Sequence, residues 1–349
     1  MTYLFILIIS TFILFFIRLS LKKGRLIVEK PSSLKRKIHN QDVSRLGGLV
    51  FISLILLLFK IENILTYNFL LFCYVIFLIG IFEDLITNIS KYIRLILLIF
   101  AILYFTITNS FIINSFENDV LSYLVSSTLI VSLAFTSLGL LICINGFNFI
   151  DGLNGLLLGN AVLILSFFAY YSAGISYETT FLCICAIIAI IPLFVINIVE
   201  GKVLTGDGGA YFLGSLIGCL SVQMANSGAL NEFEVAAIIF YPTMEIIFTG
   251  IRRLLRRKNP FKPDSMHLHT LLFLYISENK FLRNKKINTN YINSLSSSII
   301  LFFLILLFII RDLVSSIIHP FVFILFLVLI YCIAYAILSL KHNKIEMKK

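Results

Sequence analysis

The chain has 349 residues, of which 59% are hydrophobic and 13% are charged, and its formal net charge is +10. Soluble proteins average about 45–50% apolar and about 25% charged residues, so this composition excludes a soluble enzyme, a nucleic-acid-binding module and a disordered chain. The cations cluster in a few loops, which is typical of orientation signals for membrane insertion. We therefore predict an all-α polytopic integral membrane protein.

Apolar runs that could cross a hydrocarbon layer of ~30 Å recur along the whole sequence. We predict about eleven transmembrane helices, at roughly 2–21, 46–59, 67–83, 93–114, 120–143, 153–173, 179–199, 210–228, 234–250, 292–310 and 317–340. An N-terminus outside and a C-terminus in the cytoplasm would put 26 of the 28 Lys and Arg residues on the inner side, leaving Lys60 and Arg311 outside. The chain 1–349 is then a single transmembrane domain, with catalytic loops facing the cytoplasm at 22–45, 84–92, 144–155, 200–210 and 251–290.

Four polar clusters interrupt the apolar pattern, and all of them fall on the predicted inner face. In chain order they are Glu83-Asp84, Asn145-x-x-Asn148-x-x-Asp151, Gly206-Asp207 and His267-x-His269. Carboxylates at a membrane edge are costly and usually mark a functional site. The spacing of three residues between Asn145, Asn148 and Asp151 would put these side chains on one face of a helical turn.

Each cluster also has a plainer interpretation. Glu83 and Asp84 are equally typical of a solvated loop, Asp207 among glycines can be a helix N-cap, and two histidines can be ordinary loop residues. Hard oxygen ligands nevertheless suit Mg²⁺, and Mg²⁺ with Arg and Lys is what a diphosphate needs during phosphoryl transfer. Together the clusters predict Mg²⁺-dependent chemistry that joins a water-soluble phosphate compound to a lipid phosphate.

Further motifs lie between residues 36 and 270, in a fixed order. They are Arg36-Lys-Ile-His39, Arg45-Leu-Gly-Gly48, Gly80-Ile-Phe-Glu83-Asp84 with Lys91 and Arg94 after it, Asn145-x-x-Asn148-x-x-Asp151-Gly-Leu-Asn154-Gly155, Asn197, Gly206-Asp207 and Asn259-Pro-Phe-x-Pro-Asp264-x-x-His267-x-His269. In these motifs the sequence resembles the polyprenyl-phosphate N-acetylhexosamine-1-phosphate transferases of bacteria. The resemblance implies transfer of a sugar-1-phosphate from a UDP-N-acetylhexosamine to undecaprenyl phosphate, with release of UMP, at the cytoplasmic face of the inner membrane.

The resemblance also implies roles for individual residues. It implies catalytic roles for Asp84, Glu83, Asp207, His267 and His269. It also implies that Asp207 and Asp151 are the ligands of the metal ion, which is Mg²⁺ or Mn²⁺ in its place. Substrate-binding roles fall to Asn145, Asn148, Asp151, Asn154, Asn197, Gly206, Arg36, His39, Arg45 and Lys91. The sequence departs from the family pattern at Glu83 and Asn154, where the family has Asp. Glu83 keeps the negative charge, so we expect activity with altered geometry.

The segment around His267 favours one branch of this family. The muramoyl-pentapeptide branch carries three consecutive histidines before Phe-Glu-Leu, whereas this loop reads Asp-Ser-Met-His-Leu-His-Thr. The sequence is closer to enzymes that begin O-antigen, enterobacterial common antigen or teichoic acid glycans. The expected donor is UDP-GlcNAc or a related UDP-N-acetylhexosamine, such as a 6-deoxy form.

Phospho-N-acetylmuramoyl-pentapeptide transfer, transport and a non-catalytic family member remain as alternatives. Transporter sites lie near the bilayer midplane in paired repeats, whereas these acidic groups lie at span ends. We further expect a homodimer and no nucleic-acid partner.

Overall fold

The computed structural model describes residues 1–22, 28–29, 43–86, 90–114, 116, 119–257, 264, 266–279 and 287–346. The helices are α1 (Thr2–Lys22), a 3₁₀ helix (Leu46–Phe59), α2 (Ile64–Leu85), α3 (Lys91–Thr108), α4 (Asp119–Ser126), α5 (Leu129–Ile150), α6 (Leu156–Ser172), α7 (Tyr177–Glu200), α8 (Gly206–Asn226), α9 (Glu232–Ile238), α10 (Phe240–Leu255), α11 (Leu268–Ser277), α12 (Thr289–Val314) and α13 (Pro320–Glu346). Two short strands, β1 (Val28–Glu29) and β2 (Val43–Ser44), pair antiparallel. The all-α membrane class is confirmed, apart from this small ribbon.

Within the described ranges, eight helices are long and apolar enough to cross a membrane, or nine if the bent pair of α9 and α10 counts as one span. The 3₁₀ helix, α6 and α11 are shorter apolar helices. The predicted apolar segments are therefore largely helical, while the number eleven and the orientation stay predictions.

The 3₁₀ helix shows how a short segment covers a long distance. A 3₁₀ helix rises about 2.0 Å per residue, compared with about 1.5 Å in an α-helix. The 14 residues of Leu46–Phe59 therefore extend over about 28 Å, close to the thickness of the hydrocarbon layer. The segment coincides with the predicted span at 46–59.

Helix α8 lies at the centre of the molecule, packed against α2, α5, α6 and the 3₁₀ helix. Its contacts with the 3₁₀ helix and α2 are close because glycines of α8 face glycines of these two helices. A Cβ atom on Gly48 would lie 2.5 Å from the Cα of Gly209, and one on Gly80 would lie 2.6 Å from the Cα of Gly208. Backbone therefore packs directly on backbone around the first turn of α8.

The chain entering α8 is held by a distant segment. Ser44 donates its N–H to Lys202 and accepts from Leu204, and Gly47 and Gly48 donate to the carbonyls of Leu204 and Thr205. These four hydrogen bonds fix the start of α8 against the start of the 3₁₀ helix.

Two of the predicted spans differ in form from the observed helices. The span expected at 120–143 is divided into α4 and α5, and α5 continues to Ile150, so the loop expected at 144–155 begins as helix. Thr128 separates the two helices because its hydroxyl accepts from the N–H of Val131 and caps α5. The span expected at 234–250 is a pair of helices, α9 and α10, that bend by 82°.

A closed ionic network joins three helices at the end of the bundle opposite to the first turn of α8. Arg311 of α12 pairs with Glu234 at 2.5 Å and with Asp312 at 2.9 Å, and its guanidinium also donates to the hydroxyl of Tyr171. Tyr171 in turn donates to Asp312. Each charge of this network therefore has an opposite charge in contact.

Candidate functional site

Asp84 caps the N-terminus of α8 from a neighbouring helix. The side chain is buried at the end of α2, and its two carboxylate oxygens accept from the N–H groups of Asp207, at 3.1 Å, and Gly208, at 3.0 Å. The first N–H groups of a helix have no partner within the helix and carry partial positive charge. The carboxylate of Asp84 satisfies two of them and fixes the position of Asp207.

Gly206 is the residue that makes this approach sterically feasible. Its φ angle is +74°, a region that side chains rarely adopt. A Cβ atom here would lie 1.9 Å from the carbonyl oxygen of Arg45 and 2.8 Å from Oδ2 of Asp84. The predicted substrate-binding Gly206 therefore has a packing role that its position alone explains.

The end of α5 brings an amide and a further carboxylate to Asp207. Asn148 donates its side-chain amide to Oδ1 of Asp207 at 2.7 Å, and Asp151 lies close enough to Asp207 and to the backbone of Gly206 for both to act on its charge. Burial, together with the nearby negative charges of Asp207 and Asp84, raises the pKa of Asp151 to about 7, although Arg45 acts in the opposite direction. The three aspartates that the sequence puts in separate motifs thus meet at the first turn of α8.

Glu83 lies beside this group but has its own partners. Its carboxylate pairs with Arg94 of α3 at 2.6 Å and accepts from the hydroxyl of Tyr211 at 3.3 Å. It thereby links α2, α3 and α8. Tyr211 was not predicted to contribute to the site.

The two histidines pack on the end of α5. Their rings stack with centroids 5.4 Å apart, and the ring of His267 meets Phe149 edge-on at 5.4 Å. A Cβ atom on Gly152 would lie 2.7 Å from Nε2 of His269. The predicted histidines therefore lie next to the turn that carries Asp151.

Glu245 is a site residue that the sequence did not single out. It lies in α10, is fully buried, and has Oε2 3.2 Å from Nδ1 of His267 and Oε1 3.8 Å from Nδ1 of His269. Burial lowers the pKa of His269, and the carboxylate of Glu245 acts in the opposite direction. A single acidic residue inside an apolar run is the signal that could have found it.

The last turn of α10 contributes to a buried ion pair. Arg252 binds Asp264 directly, and Arg253 lies 3.8 Å from the same carboxylate. Burial alone would raise the pKa of Asp264, but the hydrogen bond and charge of Arg252 hold it below its usual range. The interpretation of Arg252 and Arg253 as an orientation signal alone is therefore incomplete, since both help to fix the segment before the histidines.

Three of the predicted substrate-binding amides are occupied by the protein itself. Asn197 accepts from the N–H of Gly155 at 2.5 Å and donates to the carbonyl of Val203 at 2.7 Å. The side-chain NH₂ of Asn154, which is fully buried, donates to the hydroxyl of Ser294 in α12 at 3.5 Å, and Asn145 donates to the carbonyl of Leu141 one turn back in its own helix. Their contacts with a substrate stay predictions.

Of the four cationic and imidazole side chains predicted to bind substrate, Arg45 and Lys91 lie within the described residues. The charge of Arg45 acts on both Asp84 and Asp151, and Lys91 begins α3 with its ammonium 5.7 Å from the ring of Tyr92. Arg36 and His39 lie outside the described residues. In the part of the chain that is described, no three His, Cys, Asp or Glu side chains are grouped so as to hold a metal ion by themselves.

Comparison with known proteins identifies the family to which this chain is similar. The family model described as glycosyl transferase family 4 matches residues 66–225, the segment from α2 to α8 that carries Glu83, Asp84, Asn148, Asp151 and Asp207. An undecaprenyl-phosphate alpha-N-acetylglucosaminyl 1-phosphate transferase of Thermotoga maritima is 29% identical over 263 residues, 75% of this chain and 78% of the relative.

Two other relatives carry similar names. A probable undecaprenyl-phosphate N-acetylglucosaminyl 1-phosphate transferase of Bacillus subtilis is 28% identical, over 74% of this chain and 72% of its own. A decaprenyl-phosphate N-acetylglucosaminephosphotransferase of Mycobacterium tuberculosis is 25% identical, over 41% of this chain and 40% of its own.

Proposed function

Since the chain belongs to the polyprenyl-phosphate sugar-1-phosphate transferases of glycosyl transferase family 4, we propose that it transfers N-acetylhexosamine-1-phosphate to undecaprenyl phosphate. The proposed donor is UDP-GlcNAc, the second product is UMP, and the lipid-linked product begins a cell-surface glycan. The proposed location is the bacterial inner membrane, with the site on the cytoplasmic face.

The observation that carries this proposal is the meeting of Asp84, Asp151 and Asp207 at the first turn of α8. Carboxylates crowded together oppose one another's ionisation, and a cation or a positively charged group relieves that repulsion. A metal-bound diphosphate would supply the cation.

The oxygen donors fit Mg²⁺, or Mn²⁺ in its place. Mg²⁺ is commonly bound by one or two carboxylates together with substrate phosphates and water, so a complete cage of protein ligands is not required. Asp207 and Asp151 would hold the ion, since Oδ1 of Asp207 already accepts from Asn148 and the other carboxylate oxygen remains for a ligand. When bound, the ion would offset the charge of the diphosphate.

The reaction itself needs positioning more than acid–base catalysis. An oxygen of the lipid phosphate attacks the sugar-bearing phosphorus in line, the bond from that phosphorus to the UMP oxygen breaks, and its electron pair leaves with UMP. A phosphate is largely ionised near neutral pH, so the acceptor requires little help from a base. The proposed work of Asp84 is to fix α8 and Asp207, with the remaining lone pairs of its oxygens free to orient a substrate-bound group.

A groove between α2 and α3 supports access from the lipid side. Its volume is about 310 Å³, and most of its lining is apolar, with Ile79, Phe82, Ile93 and Leu97 among the side chains. The ion pair of Glu83 and Arg94 lies in the same groove. An amphiphile with an apolar chain and a phosphate matches this combination.

The test is a donor panel with purified protein in lipid nanodiscs. UDP-GlcNAc, UDP-GalNAc and UDP-MurNAc-pentapeptide are each supplied with undecaprenyl phosphate, and UMP and lipid-linked sugar are measured with Mg²⁺, with Mn²⁺ and with EDTA. We expect UMP from UDP-GlcNAc in the presence of metal only. Turnover of UDP-MurNAc-pentapeptide alone would overturn the donor assignment, and binding of UDP-GlcNAc without UMP would overturn the activity.

A further inference from the structure

We propose that Glu245 is a positioning residue that sets the tautomer of His267. The inference rests on the proposed function only in its kinetic part, because the tautomer itself can be measured without substrate.

The first step of the argument is burial. Glu245 has no exposed surface, yet it lies in a helix whose other residues are mostly apolar. A buried carboxylate is strongly unfavourable unless its oxygens are hydrogen-bonded or paired. Its retention in α10 therefore depends on what it binds.

The second step is that the two carboxylate oxygens of Glu245 have different hydrogen-bond partners. Oε1 accepts from the backbone N–H of Leu268 at 3.1 Å, and Oε2 lies 3.2 Å from Nδ1 of His267. An ionised carboxylate only accepts hydrogen bonds, so Nδ1 of His267 must carry a proton. In the neutral ring, the proton on Nδ1 leaves Nε2 as the acceptor or ligand.

The third step is the position of the histidine pair. His267 lies edge-on to Phe149, the residue after Asn148, and His269 packs against Gly152, the residue after Asp151. Glu245 thus connects α10 to the end of α5 through the two imidazole rings. Its effect on the proposed site is exerted through the histidines, since it contacts them and not the aspartates.

Replacement of Glu245 by Gln should change the tautomer of His267. The backbone N–H of Leu268 can only donate, so the single oxygen of Gln must stay there, and the amide NH₂ would face Nδ1 of His267. An N–H donor then faces Nδ1 in place of a carboxylate, so we expect Nδ1 to accept and the proton to move to Nε2. The hydroxyl of Thr249, 3.4 Å from Nδ1, can donate or accept and is compatible with either tautomer. Glu245→Gln preserves size and shape but reverses the tautomer.

The experiment uses the full-length protein with ¹⁵N-labelled histidine in nanodiscs. The chain has five histidines, and the His267→Gln variant assigns the signal of His267. We expect the proton on Nδ1 in the wild type and on Nε2 in Glu245→Gln. Glu62→Gln, at an exposed carboxylate between the 3₁₀ helix and α2, is the matched control and should keep the wild-type tautomer.

Kinetics then separate positioning from simple loss of structure. In Glu245→Gln, kcat for UMP release should fall about 10- to 100-fold, the usual cost of losing a group that orients a functional histidine, while KM for UDP-GlcNAc stays near the wild-type value. The double variant Glu245→Gln/His267→Gln should be no slower than His267→Gln alone, because Glu245 acts through His267.

Several results would overturn the proposal. They are an Nε2–H tautomer in the wild type, an unchanged tautomer in Glu245→Gln, a wild-type kcat in Glu245→Gln, or fully additive losses in the double variant. The first of these needs only the wild-type protein, so the proposal can be tested even if Glu245→Gln does not fold. If the wild type releases no UMP from any donor, the proposed function fails, while the tautomer measurement still decides the role of Glu245.

Discussion

The two ends of the helix bundle differ in whether their buried charges are paired within the protein. At one end, Arg311 contacts Glu234, Asp312 and Tyr171, and the network is closed within the protein. At the other end, Asp84 and Asp207 meet at one helix terminus with Asp151 nearby, and repulsion among them is part of the arrangement. We therefore assign the first network to the stability of the bundle, and we propose that a ligand completes the second.

The largest expected effect separates the two ends directly. Asp207→Asn should lower UMP release by about three orders of magnitude, because a ligand to a charge-stabilising metal is worth several kcal/mol in the transition state. Asn can still accept from Asn148, so the protein should insert and fold normally. Asp312→Asn at the opposite end is the matched control and should turn over at the wild-type rate. Full activity of Asp207→Asn would remove the metal assignment.

The second prediction concerns the backbone that carries the aspartates. Gly206→Ala should destabilise the protein by more than about 2 kcal/mol, since a positive φ and a clash with the carbonyl of Arg45 act together. Gly228→Ala shares a positive φ of +70° but meets nothing within 4 Å, so it should cost far less. Thermal unfolding can be followed with a thiol-reactive dye, because five of the cysteines are buried. Equal unfolding temperatures in the two variants would contradict the close packing.

The third prediction tests the closed network. Arg311→Met should lower the free energy of unfolding by about 1–3 kcal/mol, because the carboxylates of Glu234 and Asp312 lose their shared partner. The rate of UMP release per folded molecule should not change. A loss of kcat without a loss of stability would mean that the two ends are coupled.

The smallest effect is expected at Glu83. Glu83→Asp restores the family's acidic pair but shortens the side chain, so its contact with Arg94 is lost. We expect a decrease in kcat of about three- to tenfold, the equivalent of about 1 kcal/mol. The measurement is UMP release at saturating donor. Complete inactivity of Glu83→Asp would show that Glu83 takes part in the reaction itself.

Much of the architecture can be predicted from the sequence because lipid imposes simple rules on apolar runs. The span at 46–59 coincides with its helix, and Lys60 and Arg311, the two cations predicted to lie outside, both lie at the end opposite to Asp207. The break at Thr128 was missed because a capped turn inside an apolar run leaves its hydropathy unchanged.

The site was predictable to the extent that its residues carry charge. Asp84, Asp151 and Asp207 converge as their motifs indicated, but spacing cannot reveal which amides the protein uses for itself. Asn197 serves the backbone of Gly155 and Val203, contacts that depend on loop geometry. Glu245 is not singled out by motif spacing because it stands alone in an apolar helix, apart from the polar clusters.

The glycine-lined, nearly fully buried helix α8 also constrains the order of assembly. Of the eight candidate spans in the described residues, it has the lowest mean hydropathy and the largest buried share. A segment of such low hydropathy is poorly stabilised by contact with lipid tails. It is also synthesised after α2, α5 and the 3₁₀ helix, which precede it in the chain. Until α8 enters the space between them, the carboxylate of Asp84 has no helix to cap. The capped first turn that carries Asp207 therefore exists only once this weakly apolar segment is packed against α2, α5 and the 3₁₀ helix.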